Sequence, residues 1–159
     1  MAAEGKKAPP CTLVIFGGTG DLTKRLLMPA LVNLTRAGLL PERFAVLAVG
    51  RREKSSDEFR AELADSAQAI GTIDTKSPPW RWLAPRLDYL AGNFDDPATY
   101  HRLAEALDKI AQRQRTGGNV LFYLATTPEA FAQFLREDRK AAQALIAIAK
   151  SPKSEYKPE

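Results

Sequence analysis

Leu13-Val14-Ile15-Phe16-Gly17-Gly18-Thr19-Gly20-Asp21-Leu22-Thr23-Lys24 joins a short apolar run to a glycine cluster with no spacer between them. From Thr12 to Phe16 the run is continuous and rich in β-branched residues, the pattern of a strand buried on both faces. Beyond the glycines, Leu22, Leu26, Leu27, Ala30, Leu31 and Leu34 recur at helical spacing, so the spacing predicts a helix over Asp21 to Ala37. Pro29 inside it predicts a kink there, or a restart with Pro29 in the first turn, and Gly38 predicts the stop. Strand, glycine turn and helix in that order let the backbone come close to a pyrophosphate. The free N–H groups and positive dipole end of the helix would meet its charge. Gly17, Gly18 and Gly20 would equally serve a tight strand-to-helix turn with no ligand.

Working outward, Phe44 to Gly50 (FAVLAVG) is a second buried strand. Ser55 and Glu58 have capping-box spacing ahead of a helix striped by Phe59, Leu63 and Ile70, with its end near Gly71. Thr72 to Pro85 holds three prolines and two tryptophans and is expected to be a loop that packs its tryptophans onto the domain. Leu87 to Ala91 is a third strand. Asp96 and Pro97 open a third helix that Gly117-Gly118 end, and Asn119 to Ala125 (NVLFYLA) is a fourth strand. Thr127-Pro128 then open an alanine-rich helix toward Ala149. Strands alternating with helices imply βαβ units with right-handed crossovers. The class is therefore α/β, with a parallel sheet in the order 3-2-1-4 and helices on both faces. Residues 1–11 read as a polar leader, 12–150 as the domain and 151–159 as a disordered tail.

The chain's 159 residues suit one domain, and 45% hydrophobic with 26% charged residues exclude a disordered chain. No apolar run reaches the roughly 20 residues that cross a bilayer, and MAAEGKKAPP lacks a signal peptide's apolar core, so a cytoplasmic protein with no membrane partner is expected. Cys11 is the single cysteine and His101 the single histidine, so neither an internal disulfide nor a zinc site of known spacing is expected. The net charge of +4 suits an anionic ligand, yet it is spread without a sustained basic run, and no nucleic-acid partner is expected.

The second strand ends in Gly50-Arg51-Arg52, where a dinucleotide fold carries an acidic residue for the ribose of NAD or an arginine for the 2′-phosphate of NADP. A guanidinium pairs its donors with a phosphate, which favours NADP. Glu53 argues mildly for NAD, and two solvated surface arginines are the bland alternative.

With these landmarks in place, LVIFGGTGDLTKR, PALVNLTRAGLLPE, AVGRRE, YLAGNFDDPATYHRL and NVLFYLATTP together resemble the amino-terminal coenzyme domain of the glucose-6-phosphate dehydrogenase family, from Leu13 to about Pro128. The resemblance implies a Rossmann-like, incomplete fold of about four strands, with NADP as cofactor. It implies a diphosphate loop of Gly17, Gly18, Thr19, Gly20, Asp21, Leu22, Thr23 and Lys24, and Arg51 on the 2′-phosphate. Tyr123, Ala125 and Thr126 would lie beside the nicotinamide half. The chain departs from the pattern where Leu26 replaces a family lysine and where Thr23 holds the third fingerprint position, usually alanine; a β-branched residue there is expected to loosen helix-to-strand packing. Beyond Pro128 the family's EKPFG-like segment, its RIDHYLGK substrate motif and its distal histidine base are not found in these residues. No catalytic residue is therefore assigned, and His101, among Tyr100, Arg102 and Glu105, reads as a solvated surface histidine. Glucose 6-phosphate would be a ligand only of a full-length relative. A non-catalytic NADP-binding or partner-binding module is the alternative, its apolar surface supplied by Ala141, Ala142, Leu145, Ile146, Ile148 and Ala149. A short-chain dehydrogenase ranks third, because no tyrosine has a lysine four residues on. The uncovered edge of the fourth strand is also expected to favour self-association.

Overall fold

The computed structural model describes residues 7–127 and positions 129, 143 and 147. The first six residues of the leader, most of the alanine-rich helix expected after Thr127, and the tail lie outside the described residues. Four parallel strands, β1 (Cys11–Phe16), β2 (Phe44–Gly50), β3 (Leu87–Ala91) and β4 (Val120–Leu124), form one sheet in the order β3-β2-β1-β4. Helices α1 (Met28–Arg36), α2 (Ser56–Ile70), α3 (Pro78–Leu83) and α4 (Pro97–Gln114) connect them.

Alternation along the strands sorts the core onto two faces. Ile15, Val46 and Ala48 pack with Met28, Val32, Phe59 and Leu63 under α1 and α2. Val14, Phe16, Leu47 and Val49 pack with Leu103, Leu107 and Ile110 of α4 on the other face. The fold is thus the incomplete Rossmann-like α/β arrangement expected, with helices on both faces.

Three local features differ from the sequence reading, and a fourth decides between its alternatives. The helix over Asp21 to Ala37 follows the second of the two alternatives at Pro29, a restart with Pro29 in its first turn. It widens into a π-turn at Thr23–Leu27, where Met28 N–H bonds the Thr23 carbonyl five residues back, and Pro29 falls in the first turn of α1. Proline has no N–H to continue the ladder and clashes with the carbonyl four residues before it, which the wider turn accommodates. The supposed loop of Thr72 to Pro85 contains α3, because Pro78 and Pro79 occupy first-turn positions that need no N–H donor. Trp80 is buried in the core and Trp82 packs against it, with the Arg86 guanidinium 3.9 Å from the Trp82 ring. Helix α4 is ended not by Gly117-Gly118 but by Arg115, in the left-handed region at φ 54°. Thr23 is fully buried and does not loosen the packing: its hydroxyl donates to the Gly17 carbonyl at 3.1 Å.

The two sheet edges differ. On β3, Arg60 of α2 donates to the Leu87 carbonyl at 2.5 Å and Ser56 Oγ accepts from Tyr89 N–H at 2.9 Å, so side chains occupy two of the outward backbone groups. Asp88 on the same strand pairs with both Arg60 of α2 and Arg113 of α4, tying together the helices of opposite faces. On β4, among the described residues, no side chain bonds the outer backbone groups, and Leu121, Tyr123 and Leu124 are exposed, Leu121 by 60%.

Candidate functional site

The carboxyl edge of the sheet is built around the end of β1. Gly17 and Gly18 both donate their N–H groups to the Val49 carbonyl at 3.1 Å, bending the chain over the end of β2. Gly20 N–H closes the turn on the Gly17 carbonyl at 2.9 Å, and Lys24 N–H on the Gly20 carbonyl at 3.2 Å starts the helix. The amides of the first turn ahead of Lys24 then have no intrahelical acceptor, which is the donor set an anion needs.

Two glycines are compelled here. Gly17 has φ +83°, and a Cβ on it would lie 2.3 Å from the Ala125 carbonyl oxygen. A Cβ on Gly18 would lie 2.4 Å from Ala48 Cβ. Gly20 is exposed and would meet only the Gly17 carbonyl, at 3.1 Å, so its missing side chain leaves the turn open to approach from outside.

The ends of β2 and β4 flank this loop. Gly50 closes β2, and a Cβ on it would stand 3.3 Å from the Thr19 side chain, so Arg51 follows directly from a contact with the loop. Arg51 is exposed, and among the described residues its side chain has no hydrogen-bond or ion-pair partner; the side chain of Lys24, half-buried, has none either. Asp21 is engaged by Arg25 at 2.6 Å. Ala125 N–H bonds the Phe16 carbonyl at 2.9 Å, which sets Ala125 against Gly17 with Thr126 next in the chain. Tyr123 is not at the edge: it pairs in register with Ile15, one residue inside the Phe16–Leu124 pair, and is 40% exposed. The structure therefore brings Gly17 to Lys24, Arg51, Ala125 and Thr126 to one edge, and leaves Tyr123 one step within the sheet. Leu26, in place of the family lysine, is 61% exposed.

Several residues that shape this edge escaped the sequence reading. Tyr89 of β3 donates its hydroxyl to the Arg52 carbonyl at 2.7 Å. Burial raises its phenol above the ordinary value, and the Glu53 and Glu62 carboxylates add to this, so it is a neutral donor. The segment Gly92 to Tyr100 is architectural. A Cβ on Gly92 would lie 2.5 Å from the Thr99 side chain, Tyr100 donates its hydroxyl to the Phe94 carbonyl at 2.6 Å, and Asp96 caps α4 through Ala98 N–H at 2.9 Å. Of these, the Asp96 cap was read from the sequence, while the Gly92–Thr99 and Tyr100–Phe94 contacts were not.

His101 is exposed on α4. Among the described residues no three His, Cys, Asp or Glu side chains are grouped to hold a metal ion, and no helix is long and apolar enough to cross a membrane. A groove of about 520 Å³ lies at the opposite edge of the sheet, between the start of β1 and β4 and the end of α4, lined by Thr12, Leu107, Thr116 and Val120. It is remote from the glycine turn, and in doubly wound sheets ligands sit at the carboxyl ends of the strands, so the turn rather than this groove is the candidate site.

Residues 14–150 match the family profile described as glucose-6-phosphate dehydrogenase, NAD binding domain. The chain is 42% identical over 131 residues to the glucose-6-phosphate 1-dehydrogenase of Chlamydia muridarum, covering 80% of this chain and 25% of that protein. The crystal structure of glucose-6-phosphate 1-dehydrogenase from Mycobacterium avium superposes with a TM-score of 0.65 at 31% identity, over 84% of this chain and 27% of that one. A glucose-6-phosphate dehydrogenase solved in complex with its substrate glucose-6-phosphate shares the fold at a TM-score of 0.67 and 22% identity, over 89% of this chain and 29% of that one. The chain thus spans about a quarter of the length of the relatives it matches. With the glycine turn, the β2 arginine and the strand order all in the matched region, the chain belongs to the glucose-6-phosphate dehydrogenase family and carries its amino-terminal dinucleotide-binding domain.

Proposed function

We propose that this chain is the NADP-binding portion of a glucose-6-phosphate dehydrogenase, the enzyme class that oxidises glucose 6-phosphate to 6-phosphogluconolactone at the entry to the pentose phosphate pathway. The observation that carries the cofactor choice is Arg51, exposed, with its side chain unpaired among the described residues, and directly after Gly50, where an added Cβ would meet the Thr19 side chain of the glycine turn. An arginine there adds a charged, forked donor that a 2′-phosphate uses and a 2′-hydroxyl does not.

The residues present fit the group. Gly17 to Lys24 hold the diphosphate through first-turn amides and the Lys24 ammonium, Arg51 takes the 2′-phosphate, and Ala125 and Thr126 border the nicotinamide half, with Tyr123 one step further within the sheet. When bound, the nicotinamide supplies the hydride acceptor, and the protein's part is orientation and electrostatics. The single cysteine, Cys11, is free, which suits a reducing, cytoplasmic setting. The 159 residues on their own are a binding unit: the substrate motif and the base lie outside this portion of the family's length. The test is titration of the chain with NADP and NAD. Arg51→Ala loses about 1.5–3 kcal/mol of NADP affinity with little change for NAD. Equal loss for both dinucleotides would contradict the assignment.

A further inference from the structure

Residues 51–54 form a short irregular connection between the end of β2 and the cap of α2, and its backbone has few anchors of its own. One comes from far along the chain. Tyr89 Oη donates to the Arg52 carbonyl at 2.7 Å, across 37 residues of sequence. The phenol has little freedom to be elsewhere. Tyr89 is 8% exposed, its ring stacks on Phe59 at 5.1 Å between centroids, and its own N–H is bonded to Ser56 Oγ. Lys54 Nζ lies 5.7 Å from the ring centroid and bonds Glu62 at 2.5 Å, its side chain only 6% exposed, so the far end of the connection is fastened to the same tyrosine and to α2. The absent side chain of Gly50 makes room: a Cβ there would fall 2.7 Å from the Tyr89 hydroxyl.

We propose that Tyr89 is a positioning residue for 2′-phosphate recognition, fixing through the Arg52 carbonyl the course of the backbone that carries Arg51. This rests on reading Arg51 as the 2′-phosphate ligand. The Arg51 side chain is itself unanchored among the described residues, so ligand binding must order it. A backbone already held in place removes part of that ordering entropy, and only a ligand that engages Arg51 benefits. A tyrosine that merely filled the core would affect both dinucleotides alike.

The test compares NADP and NAD dissociation constants for the 159-residue chain, Tyr89→Phe, Arg51→Ala and the double variant, each checked by thermal melting. Tyr89→Phe keeps the ring on Phe59 and deletes only the hydroxyl. It is expected to weaken NADP about five- to tenfold and NAD less than about twofold. In the Arg51→Ala background the same change is expected to shift NADP by less than about twofold, because the hydroxyl acts through that arginine. Equal weakening of NADP and NAD, or effects that simply multiply in the double variant, would overturn the role of Tyr89 while leaving Arg51 in place. An Arg51→Ala variant with unchanged NADP affinity would overturn the cofactor reading and this inference with it.

Discussion

Thr23 Oγ1 donates to the Gly17 carbonyl, so the first turn of the helix is tied to the residue that begins the glycine turn. The same carbonyl accepts from Gly20 N–H, so one oxygen sets both the turn and its helix. Thr23→Val preserves shape and removes the donor. The expected loss is about 0.5–1.5 kcal/mol of unfolding free energy in a urea melt, and Thr23→Ser should retain most of it. A Val variant as stable as the parent would show that the bond is idle.

Gly18→Ala should destabilise the chain by about 1–3 kcal/mol, because its new methyl meets the Ala48 side chain inside the sheet. Ala48→Gly in the same chain should recover part of that loss, and the double-mutant cycle reads the contact directly. Absence of any recovery would mean that the turn fails for another reason.

Acid should weaken the start of α2. Glu58 accepts from Ser55 N–H, which, with the Ser55 side chain, holds its carboxyl below the usual carboxylate range. A lowered folded value means that the stabilisation is present above the ordinary carboxylate value and is lost as pH falls through the lower, folded one. Glu58→Gln should melt lower than the parent at neutral pH, with the gap closing in acid. A gap independent of pH would exclude the ionised capping box as its cause.

The 159-residue chain should give no NADPH from glucose 6-phosphate above the blank. Its one histidine is exposed on α4, and a positioned base alone contributes roughly 10²–10⁴ in rate. Turnover would place catalytic groups in a part of the family's length where none has been assigned.

In solution the chain should associate through β4, whose Leu121 and Tyr123 are exposed on a strand with no outer neighbour among the described residues. Leu121→Lys should shift sedimentation toward the monomer. A parent that already sediments as a monomer at high concentration would refute the idea.

Where neighbours in sequence make the structure, it was legible beforehand. Ser55 and Glu58 form the capping box that their spacing announces, Asp96 and Pro97 open α4, and four apolar runs pair in the order 3-2-1-4. What escaped depends on residues that meet only after the sheet is assembled. Tyr89 reaches Arg52, and Asp88 gathers Arg60 and Arg113. No local pattern encodes those pairs. Arg115 in the left-handed region was hidden behind the two glycines that follow it, and α3 behind its own prolines. At the site, the glycine turn and Arg51 were readable because backbone shape and charge type are written residue by residue. The tie from Thr23 was misjudged because β-branching was weighed and the hydroxyl was not.

The guarded β3 edge carries a consequence for how copies of this chain can count. Arg60 and Ser56 occupy the Leu87 carbonyl and the Tyr89 N–H, so among the described residues β4 is the margin more open to a further strand. An object with a single adhesive edge saturates after one encounter. Were two chains to pair through β4 as predicted, each would turn its partly occupied β3 margin outward, and the expected product is a closed pair rather than an open-ended fibre.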